Sequence, residues 1–251
     1  MKCLRAFAGA FVFAEEKRMK HGRSRPGWPA ATLKWIAMAA MLLDHIGVLF
    51  ARDGLYIALR VVGRGAFPIF CFLLAEGAAH TRSRGRYALR LLVFALLTEP
   101  VFDFAFNGGF FAPESQNVLW TLLLALACIC AAEALCTAWE APPPWLQAMV
   151  WAGTLAMCAC GAGLLGTDYG AYGVILAVCF YMLRASRPVA CGAAGLLTLL
   201  QGGLQTAALW AGVPILLYNG QKGRGGRWFY LFYPGHLAVL GVAAYFFAQS
   251  I

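Results

Sequence analysis

Nine apolar stretches follow one another along this chain, at 32–51, 56–79, 87–106, 118–139, 145–164, 169–183, 189–203, 204–218 and 229–248, with short polar connections between them. A bilayer core about 30 Å thick calls for about 20 apolar residues per helix. Lipid offers no partner to an unpaired peptide group, so such a series folds as helices that satisfy their own backbones. The reading is an all-α polytopic membrane protein of about nine transmembrane helices, within a range of eight to ten. A basic N-terminal tail at 1–31 precedes a single membrane domain at 32–251. Only 12% of the 251 residues are charged and 61% are hydrophobic, against roughly 25% charged in soluble domains, which excludes disorder and argues against a soluble globule. Segments six to eight are short; 189–203 and 204–218 cross as two thin helices or form one interrupted hairpin around Gly202–Gly203.

The net charge of +9 sits mostly between the apolar runs. With the N-terminus cytoplasmic, the loops carrying Arg82, Arg84 and Arg86, then Arg184 and Arg187, then Lys222, Arg224 and Arg227, all fall inside, as the positive-inside rule asks. The opposite loops hold Asp53, Glu114 and Asp168, with Arg52 the one basic residue; the exception is 140–144, an inside loop with Glu140 and no cation. These cations read as topology signals and headgroup contacts, so nucleic acid is not an expected partner. Eight of the nine cysteines lie inside apolar segments. They read as small packing residues, and no metal is expected. Residues 3–14 run into Glu15, Glu16, Lys17 and Arg18 without a small-residue cleavage site, so a signal peptide is not expected.

An ionisable group deep in a span costs several kcal/mol unless it is paired or hydrated, which makes each one a functional candidate. At a rise of about 1.5 Å per residue, Asp44, His45, Arg64 and Glu99 reach a similar level near the midplane and can share one polar site. Arg60 and Arg64 share one helix face, as do Glu99 and Asp103; the economical arrangement turns both faces toward the first span. His45 is the candidate general base. Adjacent helical residues diverge by about 100°, so Asp44 is expected to pair with Arg64, and Glu99 to orient His45 or act beside it. The alternative is an ion-pair network that only fixes packing, with Arg60 and Asp103 the residues it suits best. Glu76, His80, His236, Arg224 and Arg227 suggest a second cluster, toward the cytoplasm, for a charged donor of the CoA type; its cations otherwise serve orientation and lipid contact. Gly63, Gly65 and Pro68 break the second span next to Arg64. Asp168 is either a helix cap or a substrate contact. HExxH, GxSxG, P-loop and dinucleotide motifs are absent.

Taken together, these pieces resemble the TraX family of integral membrane proteins. The likeness runs through Asp44–His45–Ile46–Gly47, Arg60 with Gly63–Arg64–Gly65–Ala66–Phe67–Pro68, Glu76–Gly77, Glu99–Pro100 and Asn117, then Asp168–Tyr169–Gly170, Tyr218–Asn219–Gly220 and Tyr233–Pro234–Gly235–His236. The family's namesake is associated with N-acetylation of a conjugative pilin. The resemblance implies an enzyme of the bacterial cytoplasmic (inner) membrane, moving an acetyl group from acetyl-CoA, or from another acyl-CoA, to an amine on a small membrane protein such as a pilin. In that expectation His45, Asp44, Glu99 and Arg64 are catalytic, His236, Arg224, Arg227, His80 and Glu76 hold the donor, and Arg60, Asp103, Asp168 and Asn117 contact the acceptor. An O-acyltransferase acting on a glycan or lipid, a proton-coupled transporter and a noncatalytic scaffold are the rival readings.

Overall fold

The computed structural model describes residues 26–139, 141–224 and 229–249, and among them every regular element is helical. Most of the expected tail, residues 1–25, lies outside the described residues, as do Glu140 and Arg227. The chain runs α1 (Ala30–Phe50), α2 (Asp53–Gly63), α3 (Ala66–His80), α4 (Arg84–Asn107), α5 (Val118–Thr137), α6 (Pro144–Leu164), α7 (Gly170–Met182) and α8 (Arg187–Gln201). A 3₁₀ segment (Gly203–Ala211), α9 (Gly212–Leu216) and α10 (Phe229–Gln249) complete it. This is an all-α membrane protein, with Ala30–Phe50, Asp53–His80, Val118–Thr137, Pro144–Leu164 and Phe229–Phe247 long and apolar enough to span a bilayer.

Local chemistry sets the breaks. Pro68 has no N–H for the carbonyl four residues back, that of Arg64, and the helix lapses at Arg64–Gly65 between α2 and α3. Asn117 caps α5 by accepting from the Leu119 N–H, and α4 stops at Gly108, whose φ of 71° lies in the left-handed region. Gly202 and Gly203, both at positive φ, turn α8 into the 3₁₀ segment, which packs back against it. A 3₁₀ helix rises about 2.0 Å per residue, so this short arm is longer than an α-helix of equal residue count.

Helix α1 packs on α2, α3 and α10; α4 lies along α10; and α5, α6 and α7 form a second layer that meets α3. The seams are made of small buried side chains, among them Ala37, Cys71, Ala75, Ala125, Cys128, Ala132 and Ala177, which let helix axes approach where lipid supplies no hydrophobic drive between them. At one end the chain entering α1 is laced to the segment after α9: Trp28 N–H donates to Leu217 O at 2.8 Å, Asn219 N–H to Trp28 O at 2.9 Å and Ala30 N–H to Gln221 O at 2.8 Å. Arg187 reaches the Tyr218 carbonyl there. At the other end Gln116 and Thr167 bridge the loops before α5 and α7. The fold thus collects the basic loops at the first end and Asp53, Glu114 and Asp168 at the second.

Gly65 lies in a tight seam. A β-carbon on it would lie 2.1 Å from the Trp210 ring, whereas one on Gly161 would meet nothing within 4 Å. Gly65→Ala is expected to cost about 1–3 kcal/mol through overpacking, read as a lower thermal midpoint in detergent, while Gly161→Ala leaves it unchanged or slightly raised. Equal midpoints for the two variants would refute this packing.

Candidate functional site

Asp44 faces α2 and is 6% exposed. Its Oδ2 accepts from Arg60 Nη1 and Arg64 Nη2, both at 2.6 Å, and its Oδ1 accepts from Arg64 Nε at 3.3 Å. The expected Asp44–Arg64 pair is present, with Arg60 added to it. A β-carbon on Gly63 would fall 2.2 Å from Asp44 Oδ1, so the carboxylate reaches the arginines only because that position is glycine. One carboxylate between two guanidiniums leaves a positive charge, with exposed Asp168 within electrostatic reach. Arg64 also lies over the Tyr169 ring at 5.7 Å. Tyr169 itself, at a φ of 63°, stacks on Phe67. Two buried donors nearby, Arg60 Nε and Trp210 Nε1, have no acceptor among the described residues.

On the other side of α1, His45 meets α10. His45 Nδ1 and His236 Nε2 are 2.8 Å apart, and His236 Nδ1 is 2.7 Å from the Phe232 carbonyl oxygen. A carbonyl only accepts, so His236 carries its proton on Nδ1 and, as a neutral ring, has a bare Nε2. That nitrogen then accepts from His45 Nδ1–H, which leaves the lone pair of the His45 pair on His45 Nε2. Phe106 and Phe232 wall the two rings at centroid distances of 5.2 and 4.7 Å.

His236 therefore sits beside His45 rather than in the cluster toward the basic end. Glu99 does not orient His45. Its carboxylate turns to α5, accepting from Asn117 N–H at 3.1 Å, Asn117 Nδ2 at 2.6 Å and Trp120 Nε1 at 2.5 Å. The start of a helix presents unpaired N–H groups and a positive dipole end, and the half-buried Glu99 carboxylate takes the nearest such donors. Asp103 is likewise engaged, accepting from Asn107 Nδ2 at 3.0 Å and Ala112 N–H at 2.8 Å. The acidic face of α4 consequently holds the loop 108–117 instead of facing α1. Asn117, expected to contact substrate, is fully buried and bonded to Leu119, Glu99 and the Ala95 carbonyl. Glu76 and His80 remain at the basic end, where His80 and Arg224 are exposed.

Tyr169 belongs to the Asp168–Tyr169–Gly170 motif of the sequence, whereas Trp210 and Glu133 are not singled out there. Glu133 carries a signal, being an acid inside an apolar stretch; Trp210 carries none, because an aromatic residue is ordinary filler in a membrane helix.

The class these features define is an all-α membrane protein with a half-buried ionic and histidine site inside its bundle. Residues 30–244 match the family model described as TraX protein, and the chain belongs to the TraX family. It is 34% identical over 247 residues to the probable fimbrial assembly protein FimC, serogroup H1, of Dichelobacter nodosus, covering 86% of this chain and 96% of that one. It is 27% identical over 231 residues to Protein TraX of Escherichia coli, covering 84% and 86%. No solved structure matches.

Removing one member of a buried ion cluster leaves the others uncompensated, at a cost of about 3–5 kcal/mol. Asp44→Ala is expected to lose folded yield and thermal stability on that scale, far more than Arg60→Ala, which leaves a balanced pair. Comparable midpoints for Asp44→Ala and wild type would contradict the cluster.

Proposed function

We propose that this chain is a membrane-embedded N-acetyltransferase that moves an acetyl group from acetyl-CoA to the N-terminal amine of a pilin-like membrane protein. The observation that carries the reading is the His45–His236 pair, which leaves the Nε2 of His45 free to accept a proton. Membership of the TraX family supports it, as does the likeness to a protein named for fimbrial assembly.

His45 Nε2 takes the proton of the acceptor amine as its nitrogen attacks the thioester carbonyl. His236 positions the ring and shares the charge that forms on it through the Nδ1–H bond. Negative charge growing on the carbonyl oxygen meets the uncompensated cation of the Asp44–Arg60–Arg64 cluster, and the unanswered Arg60 Nε–H and Trp210 Nε1–H are donors of the kind such an oxygen needs. The attack forms the C–N bond; collapse restores the carbonyl and breaks the C–S bond, and the proton on His45 Nε2 passes to the departing CoA thiolate. Asp44 holds the arginines, Glu99 and Asp103 hold the loops, and Asp168 offers an exposed anion for an acceptor ammonium before deprotonation.

The basic end faces the cytoplasm in this reading, and Lys34, Lys222 and Arg224 receive the phosphates of the donor. His45 lies fifteen residues along α1 from Ala30, about 22 Å at a helical rise, which suits an acyl group carried on a long thin arm. The protein then belongs in the bacterial inner membrane.

His45→Ala is expected to lower acetyl transfer by at least about a hundredfold, within the range of general-base contributions, while acetyl-CoA binding measured by calorimetry stays intact. His236→Ala should fall between that variant and wild type. Wild-type transfer by His45→Ala would refute the assignment of the base. Absence of donor binding by folded protein would refute the acetyl-CoA reading, and solute flux without CoA would put a transporter in its place.

A further inference from the structure

A second charged cluster lies outside the histidine site, at the basic end between α4 and α5. Arg84, the first residue of α4, donates from Nη1 to Glu133 at 2.8 Å, from Nη2 to the Tyr181 hydroxyl at 2.9 Å and from Nε to Ala78 O at 3.0 Å. Tyr181 also donates to Glu133. Beside this cluster the two helices part around a cavity of about 480 Å³, lined by Arg84, Gly85, Ala88, Cys130, Glu133 and Thr137 among others. Gly85, Ala127, Ala134 and Thr137 are exposed along it.

We propose that this groove is a binding site for one phospholipid whose headgroup carries a primary ammonium on a phosphodiester. Arg84 sits at the first turn of α4 and Glu133 in the last turns of α5, the depth of headgroups rather than of acyl chains. Arg84 has five N–H donors and spends three, so two remain for a phosphate, assisted by the positive start of α4. Each oxygen of Glu133 has one partner and accepts another, and Thr137 Oγ1 spends only its proton, on the Ala134 carbonyl. These acceptors suit an ammonium with three N–H groups. The Arg84–Glu133 pair is neutral overall, as a zwitterionic headgroup is. A phosphatidylglycerol headgroup brings no ammonium for Glu133 to accept from, and a quaternary ammonium has no N–H to donate. Leu126, Ala127 and Ala88 continue the groove toward the bilayer interior with an apolar lining for one acyl chain. The inference does not depend on the acetyl-transfer reading.

The test loads the purified full chain with phosphatidylethanolamine, phosphatidylcholine and phosphatidylglycerol in equal amounts and reads retained lipid by native mass spectrometry. Phosphatidylethanolamine is expected to be kept about tenfold over each of the others, the ratio one charge-assisted hydrogen bond supplies. Glu133→Gln should lose the preference. Because that change also disturbs the contacts to Arg84 and Tyr181, Ala134→Leu serves beside it; it fills the groove, leaves the cluster intact, and should lose the preference with an unchanged midpoint. Equal retention of the three lipids, a preference for phosphatidylglycerol, or a phosphatidylethanolamine preference that survives Ala134→Leu would each overturn the proposal.

Discussion

The Asp44 carboxylate, clamped between Arg60 and Arg64, is the interaction from which the rest of this bundle is organised. Three charges in a low-dielectric interior are tolerable only when their hydrogen bonds are short and nearly complete. That demand reaches outward into the backbone. It requires glycine at 63, where a side chain would occupy the place of the carboxylate, and it brings α1 against α2. The lapse of the helix at Arg64 leaves the guanidinium between Asp44 and Tyr169. The same contacts set α1 in the register from which its next residue, His45, faces α10.

Acids inside the spans divide by how their hydrogen bonds are spent. Glu99 and Asp103 are engaged by loop N–H groups and side-chain amides, which makes them anchors for the segment leading into α5. Glu133 is spent on Arg84 and Tyr181, yet keeps an open side toward a cavity. Besides His45 with its bare Nε2, the buried side-chain atoms without a partner among the described residues are Arg60 Nε on α2, Gln205 Nε2 and Trp210 Nε1 on the 3₁₀ arm, and Thr98 Oγ1 on α4. Spare capacity in a buried group is costly, and its concentration around α1, α2 and the 3₁₀ arm distinguishes the candidate site from the structural pairs elsewhere in the bundle.

Much of this was legible in one dimension. The nine apolar runs match the helices within a few residues, because hydrocarbon forces each run to satisfy its own backbone. The break at Arg64 was written in Gly63, Gly65 and Pro68, and the Asp44–Arg64 pair in their similar depth. The partners of Glu99 and His45 were not legible. Spacing along α4 says that Glu99 and Asp103 share a face, but not which neighbour that face meets. Depth along α10 alone gives His236 to the basic end, and says nothing of the α1 residue it meets.

A bundle of apolar helices with its cations gathered at one end and a few ionisable residues at mid-depth follows from residue order, since burial in lipid and helical rise are properties of each segment alone. Tertiary structure decided which of those residues touch: Asp44 with both arginines, His45 with His236, Glu99 with the cap of α5. Those choices depend on the rotation and crossing of helices far apart in the chain, where packing of small side chains fixes the azimuth of each helix and no local pattern records it.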